Sequence, residues 1–348
     1  MHRILCALVC TVLSGLPLRA DIYVFGDSLS DTGNVFAATF GFFPPRQFYF
    51  EGRFSNGPVW VEQLAEELGS PEDTRPAARG GNNFAVGGAE TTALSAQLGS
   101  FVGRLESESE EIVASDLFVT WMGGNDLLNG EEADPEQVAG RIIAHLNALY
   151  ALGARRFLVN NLPDLSQVPG EIGTPNAART RARTIEFNTA LARGLSEFAS
   201  MNSGAEVAQP DIFTLFETFT PVFPVLGFSN VTDRAYNDDR GTVQEDSETY
   251  VFWDELHPTA MTHRLLARVA LAEVTGNAEP QLEGSGIVDG DAVFAWLTAG
   301  VRGPVTLQQA TNSLDFTDSV TLATAPPLLI ARGATSERSQ FFRLVSGE

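Results

Sequence analysis

The chain has 348 residues, 44% of them hydrophobic, and a formal net charge of -22. That length and apolar content fit one large globular domain with a small companion. The acidic balance argues against a nucleic-acid partner and against charge-driven adhesion to anionic membranes. All 22 basic residues are arginine, a composition that suits a saline exterior but is better explained by codon bias with ordinary solubility.

The first twenty residues read as a secretory signal peptide. Arg3 gives a basic start, Ile4 to Leu16 is apolar, and Ala20 is a small residue before the cut, although Leu18 stands where a second small residue is usual. The apolar run is too short to span a bilayer and no other segment approaches that length, so no transmembrane anchor is expected. Both cysteines, Cys6 and Cys10, fall inside this leader, and Leu8 and Val9 do not supply the small residues of a lipid-attachment site. A mature chain from Asp21 would have no thiol nucleophile and no thiolate metal site, and would be secreted or periplasmic.

Strand-like runs come next at Ile22 to Phe25, Asn83 to Val86, Leu117 to Met122, Arg156 to Asn160 and Ala205 to Ala208, with helical patterns between them. The clearest helix starts at Pro135 behind an Asp134 cap, carries Val138, Ile142, Leu146 and Leu149 on one face, and stops at Gly153. This alternation predicts an α/β fold: a three-layer arrangement with a parallel sheet flanked by helices on both sides. Beyond TGNAEPQLEGSGIVDGD the helix signals vanish, and short alternating runs (Val305 and Leu307, Val320 and Leu322, Phe342 and Leu344) predict a small C-terminal all-β module. The expected division is therefore 1–20 leader, 21–278 main domain, and 279–348 linker and β-module.

The first strand breaks into Gly26, Asp27 and Ser28. Sheets of this kind gather their chemistry at the carboxyl ends of strands, which makes Ser28 a candidate nucleophile. A serine after a strand is more often a helix cap, so the choice of base decides. His145 lies in the apolar stripe of the Asp134-capped helix, and His263 sits in a helical pattern beside Arg264 with no acid in register. His257, in FWDELHPT, comes three residues after Asp254 across a turn, with Pro258 expected to open the next helix. A carboxylate at that spacing can hold the Nδ1 proton and leave Nε2 free as a base; the plainer alternative is an acid that merely caps the helix. Two strand ends finish in glycine pairs, Gly87–Gly88 and Gly123–Gly124, the second followed by Asn125. Either pair alone is ordinary turn chemistry, but together they offer a backbone N–H and a side-chain amide, the parts of an oxyanion hole.

These residues fall in blocks, and the blocks resemble the GDSL, or SGNH, hydrolases, a family of serine esterases and lipases. The blocks stand here as GDSLSDTGN with Ser28, NFAVGGAET with Gly88, GGND with Asn125, and DELHPT with Asp254 and His257. GRFSNGPVWVEQLA and GARRFLVNNLPDLSQVP extend the likeness, which runs from Asp21 to Val274 and points to the branch of secreted lipases, phospholipases and haemolysin-like enzymes. The resemblance implies a catalytic set of Ser28, His257 and Asp254, an oxyanion hole from Ser28, Gly88 and Asn125, and no metal or other cofactor. Gly87 competes with Gly88 for that role on sequence alone. The irregular stretch from Phe213 to Tyr250 is where substrate choice is expected to vary.

Other hydrolase plans fit poorly. No serine has the G-x-S-x-G context, no H-E-x-x-H pattern occurs, and an aspartyl phosphatase would place its second acid at Leu29. The expected partner is an ester, with lipid as one substrate class: Val35 to Phe54 holds seven phenylalanines, which can line an acyl pocket, touch lipid, or simply pack. A carbohydrate acetyl esterase is the enzymatic alternative, and a secreted binding or adhesion protein the non-enzymatic one. Oligomeric state is not legible.

Overall fold

In the computed structural model the central parallel sheet has four strands, β1 (Ile22–Gly26), β2 (Leu117–Trp121), β3 (Arg156–Val159) and β4 (Glu206–Ala208), paired in that order. Apolar runs with no polar alternation are buried on both faces, as β1 and β2 are throughout, while β4 at the edge of the sheet is only half-buried. The structure describes residues 20–129, 133–276, 280–301, 303–310, 317–323, 326–334 and 341–346. The expected leader, apart from Ala20, and the boundary near Glu279 lie outside the described residues.

The helices are α1 (Asn34–Ala38), α2 (Trp60–Glu67), α3 (Leu94–Glu108), α4 (Gly124–Asn129), α5 (Pro135–Leu152), α6 (Ala177–Met201), α7 (Ile212–Phe219) and α8 (Ala260–Thr275). Helix α2 packs with α8, while α5 packs with α3 and α6, which gives the layers on the two sides of the sheet. The α5 boundaries agree with the sequence signals: Asp134 accepts the Glu136 N–H, Pro135 fills the first position, and Gly153 ends the helix at φ +118. Among the described residues no helix is long and apolar enough to cross a membrane.

The expected strand at Asn83–Val86 forms only in outline. The Val24 N–H bonds to Asn82 O, and the N–H groups of Phe84 and Val86 bond to Val24 O and Gly26 O, so the segment runs along the free edge of β1. Regular pairing is interrupted because the Gly26 N–H, which would continue the ladder to Phe84 O, is taken by Gln97 Oε1 at 2.9 Å. The chain thus runs from β1 to its outer side at 82–86 and then crosses to β2 on the other side. The reversal occurs at the end of β1, where open α/β sheets form their clefts.

The remaining strands are β5 (Asn230–Arg234), β6 (Tyr236–Asn237), β7 (Thr242–Val243), β8 (Tyr250–Phe252), β9 (Gln281–Val288), β10 (Asp291–Leu297), β11 (Val305–Ala310), β12 (Thr317–Leu322), β13 (Leu328–Ala334) and β14 (Phe341–Ser346). The last six form two antiparallel sheets, β13-β10-β9 and β12-β11-β14, the all-β module that the patterning implies.

The module shares the main core: Ala295, Leu297, Ala299 and Leu328 are buried in the same cluster as the parallel sheet. Arg268 of α8 pairs with Glu283, and the Gly300 N–H bonds to Glu273 at 3.1 Å. A chain ending at Gly276 is therefore expected to melt about 5 °C or more below the full chain, because several buried apolar contacts are lost at once. Scanning calorimetry of the two chains checks this, and equal melting temperatures would mean that the module contributes nothing to the core.

Candidate functional site

The turn after β1 is tight because nothing else fits: a Cβ on Gly26 would stand 2.6 Å from Trp121 O of the neighbouring strand. Gln97 of α3 clamps the same residue, accepting its N–H at 2.9 Å and donating to its carbonyl at 2.8 Å. Asp27 O then accepts the N–H groups of Ser30 and Asp31, and Ser28 emerges at the top of the sheet, 5% exposed.

Asp31 ties the first block to the second. Its carboxylate accepts the N–H groups of Gly33, Asn34 and Val35, capping α1, and also the Gly87 N–H at 2.9 Å from the second block. Asn34 donates to the carbonyls of Asn83 and Ala85, and Asn83 donates to Ser30 O and to Thr32 Oγ1. The polar residues of the first two blocks therefore build the frame around Ser28.

This geometry separates the two glycines. The Gly87 N–H is committed to Asp31 Oδ2, whereas the Gly88 N–H has no acceptor among the described residues. Gly88 adopts φ +76, a conformation natural to glycine, and a Cβ there would meet no other atom within 4 Å. Asn125, in the first turn of α4, donates from Nδ2 to Ala89 O at 3.0 Å, which ties it next to Gly88. The adjacent Asp126 holds this corner by accepting the N–H and hydroxyl of Thr91 at 2.8 and 2.6 Å, with Arg141 at 3.4 Å. One hydrogen on the Asn125 amide stays free of these bonds, and Asn125 and Ser28 line one cavity.

The last block returns to Ser28. Asp254 Oδ1 accepts the N–H groups of Leu256 and His257 at 2.9 and 2.7 Å, which closes a turn and brings the imidazole back over its own carboxylate. His257 Nδ1 lies 2.8 Å from Asp254 Oδ2, and Nε2 lies 2.8 Å from Ser28 Oγ. Burial favours a neutral imidazole, but Asp254, by its charge and hydrogen bond, and Asp27 behind it, raise His257 above its ordinary pKa. Burial likewise pushes Asp254 up, yet the charge and hydrogen bonds of His257 and the Leu256 N–H hold it at about 2.

Pro258 does not open α8. It stays in an extended arm bridged to Phe252, and Thr259 caps the helix by accepting the Thr262 N–H. The GRFSNG block secures this arm: the Ser55 hydroxyl donates to Pro258 O at 2.8 Å and Asn56 Oδ1 accepts the Ala260 N–H at 2.7 Å.

The other two described histidines stay away from this chain of bonds. His145 is buried edge-on to Phe25 at 4.6 Å, and desolvation lowers it to about 4. His263, within α8, is lowered to about 3 by burial and then by the charge of His257.

Three features had no sequence signal. The Tyr49 hydroxyl donates to Asp254 Oδ2 at 2.7 Å from 205 residues away. The Phe54 ring lies 5.2 Å from the His257 ring. Asp27 is buried, and desolvation lifts it to about 7 against the opposing Leu29 N–H and His257 charge. Beside Ser28 a narrow cavity is walled by Leu128, Leu162, Leu165, Val168, Phe216 and Leu256, so its lining is largely apolar. Among the described residues, one group of three acids, Asp238, Asp239 and Glu255, is spaced closely enough to hold a metal ion, but it is exposed and all three acids pair with Arg234.

A hydroxyl within hydrogen-bonding distance of an imidazole, with unpaired donors and an apolar cavity beside it, is an arrangement that can carry out acyl transfer. The chain is similar to several known proteins. Over 281 residues the chain is 30% identical to the thermolabile hemolysin of Vibrio parahaemolyticus, covering 74% of this chain and 64% of the hemolysin's length. It is 28% identical over 334 residues to the phosphatidylcholine-sterol acyltransferase of Aeromonas hydrophila, covering 79% and 96%. A solved structure from Veillonella parvula, described as a member of the lipolytic protein G-D-S-L family, aligns at a TM-score of 0.39 with 18% identity, covering 74% of this chain and 98% of its own. Residues 22–270 match the GDSL-like Lipase/Acylhydrolase family, and the chain belongs to that family of ester hydrolases.

Proposed function

We propose that the protein hydrolyses carboxyl esters by a covalent route, with Ser28 as nucleophile, His257 as general base and Asp254 orienting and stabilising the imidazolium. The observation that carries this reading is the continuous line of bonds from Ser28 Oγ through His257 to Asp254, each at 2.8 Å. Ser28 attacks the ester carbonyl as its proton passes to Nε2. The oxyanion meets the N–H of Ser28, the N–H of Gly88 and the amide of Asn125. His257 then protonates the leaving alcohol, and water, activated by the same imidazole, releases the acid and restores Ser28.

The substrate is a lipid or a short-to-medium acyl ester. The aliphatic and aromatic wall beside Ser28 supports an acyl chain rather than sugar hydroxyls, and the similarity to a phosphatidylcholine-sterol acyltransferase favours a lipid ester. Met1 to Ala20 has the composition of an export signal, which makes the enzyme secreted or periplasmic. Labelling with a fluorophosphonate tests the central claim: Ser28 should be modified, and an unlabelled folded protein would favour a binding or adhesion role.

Asp27 gives the reaction a pH signature. A negative neighbour favours the imidazolium, so Asp27→Asn is expected to lower the His257 pKa. The basic form then persists to lower pH, and the acid limb of kcat/KM moves down the pH scale. Asparagine can still accept the Leu29 N–H that Asp27 Oδ1 accepts at 3.0 Å, so the turn is kept. The pH–rate profile checks this, and a limb that stays put would mean that His257 does not feel the Asp27 charge.

A further inference from the structure

Exposed aromatic side chains concentrate in the loop between α1 and α2. Phe40 is 90% exposed, Phe42 82%, Phe43 51% and Phe50 37%, although phenylalanine ordinarily supplies the core. Backbone preference does not account for Phe40, which stands at φ +54, a conformation that bulky residues avoid. The loop is anchored from within: the Thr39 hydroxyl donates to Val35 O at 2.9 Å and accepts the Phe43 N–H at 3.1 Å, and Arg46 lies 4.7 Å over the Phe36 ring. The rings are thus held outward by an ordered base.

The patch is continuous with the candidate site. Phe43 meets Phe54 edge-on at 5.8 Å, and Phe54 lies 5.2 Å from the His257 ring. Val86, 39% exposed, adjoins the Gly87–Gly88 turn. A single dissolved ester needs the cavity beside Ser28 but has no use for rings that point away from it. An anionic surface is disfavoured by the net charge of -22.

We propose that the Phe40–Phe50 loop docks the protein on an aggregated zwitterionic lipid surface, so that esters reach Ser28 past Phe43 and Phe54. The proposal rests on the ester-hydrolase reading above and deepens it by naming the physical form of the substrate. Docking here is apolar, so it does not depend on attraction between charges.

The test is sedimentation of the full chain with phosphatidylcholine vesicles. The unaltered protein is expected to bind, and Ser28→Ala to bind equally, since docking precedes chemistry. The double variant Phe40→Ser with Phe42→Ser should lose binding by about tenfold or more. Because both side chains are exposed, it should keep its melting temperature and hydrolyse a soluble acetyl ester within about twofold of the parent rate. Binding should survive a rise from about 0.05 to about 0.5 M salt and weaken when phosphatidylglycerol replaces phosphatidylcholine. Failure of the unaltered protein to bind phosphatidylcholine vesicles, or full binding by the double variant, overturns the docking surface while soluble-ester hydrolysis still stands as evidence for the site. A dimer that the same double variant dissociates would assign the patch to a second copy of the chain and overturn the proposal as well.

Discussion

Ser28→Ala and His257→Ala are each expected to yield a folded protein whose esterase activity falls by on the order of 10⁴-fold or more. Both side chains belong to one hydrogen-bonded line, so removing either stops the proton transfer that makes the hydroxyl reactive. Their losses should not add, because a double variant removes the same function only once. Turnover of a soluble ester, measured beside circular dichroism and melting temperature, checks this; full activity in either variant would falsify the proposed chemistry.

Asp254→Asn should cost less, about 10² to 10³. With its oxygen in the place of Oδ1 the amide can still accept the N–H groups of Leu256 and His257 and, from 2.9 Å, the Nδ1 proton, while the amide nitrogen takes the place of Oδ2 facing the Tyr49 oxygen. The negative charge that stabilises the imidazolium is lost, and the turn is left standing. A loss as large as that of Ser28→Ala would mean that the amide turned the other way and held His257 in the wrong tautomer.

Legibility from sequence tracked how local each cause was. The turn at Gly26–Ser28, the Asp134 cap of α5 and the three-residue step from Asp254 to His257 depend on neighbours a few residues apart, and each could be read directly. The meeting of Ser28 with His257 spans 229 residues and was legible only indirectly, by weighing the three histidines against one another and then through the family resemblance. Contacts created by folding itself were not legible. Tyr49 lay within a phenylalanine-rich run whose composition suggested packing, and its hydroxyl reaches Asp254 only once the chain is folded. The choice between Gly87 and Gly88 turned on the Asp31 carboxylate, which has no local signature. The Asn83–Val86 segment has strand composition, but a glutamine from α3 takes the Gly26 N–H and interrupts its pairing with β1. Pro258 looked like a helix opener because proline is common at first positions, yet Thr259 offered the better cap. The alternation of the C-terminal strands showed the module without showing that Leu297 and Leu328 belong to the main core.

Asn125→Ala is expected to lower the rate constant by roughly 10² to 10³ with little change in KM, because an oxyanion donor acts mainly on the transition state. Asn125 has a second job in the fold, since its amide also donates to Ala89 O at 3.0 Å, and alanine removes that bond as well. The surrounding bonds keep the corner closed without it: Asp126 holds Thr91 through both its N–H and its hydroxyl, independently of Asn125. Melting temperature should therefore move little, by about the value of one hydrogen bond. Asn125→Asp separates the two roles further. It keeps the turn preference of the parent residue but sets a carboxylate against the developing negative charge and the Ala89 carbonyl, so its rate should fall at least as far as that of alanine. If the aspartate variant turned over normally while the alanine variant lost stability, Asn125 would be a corner residue. The oxyanion would then rest on the N–H groups of Ser28 and Gly88 alone.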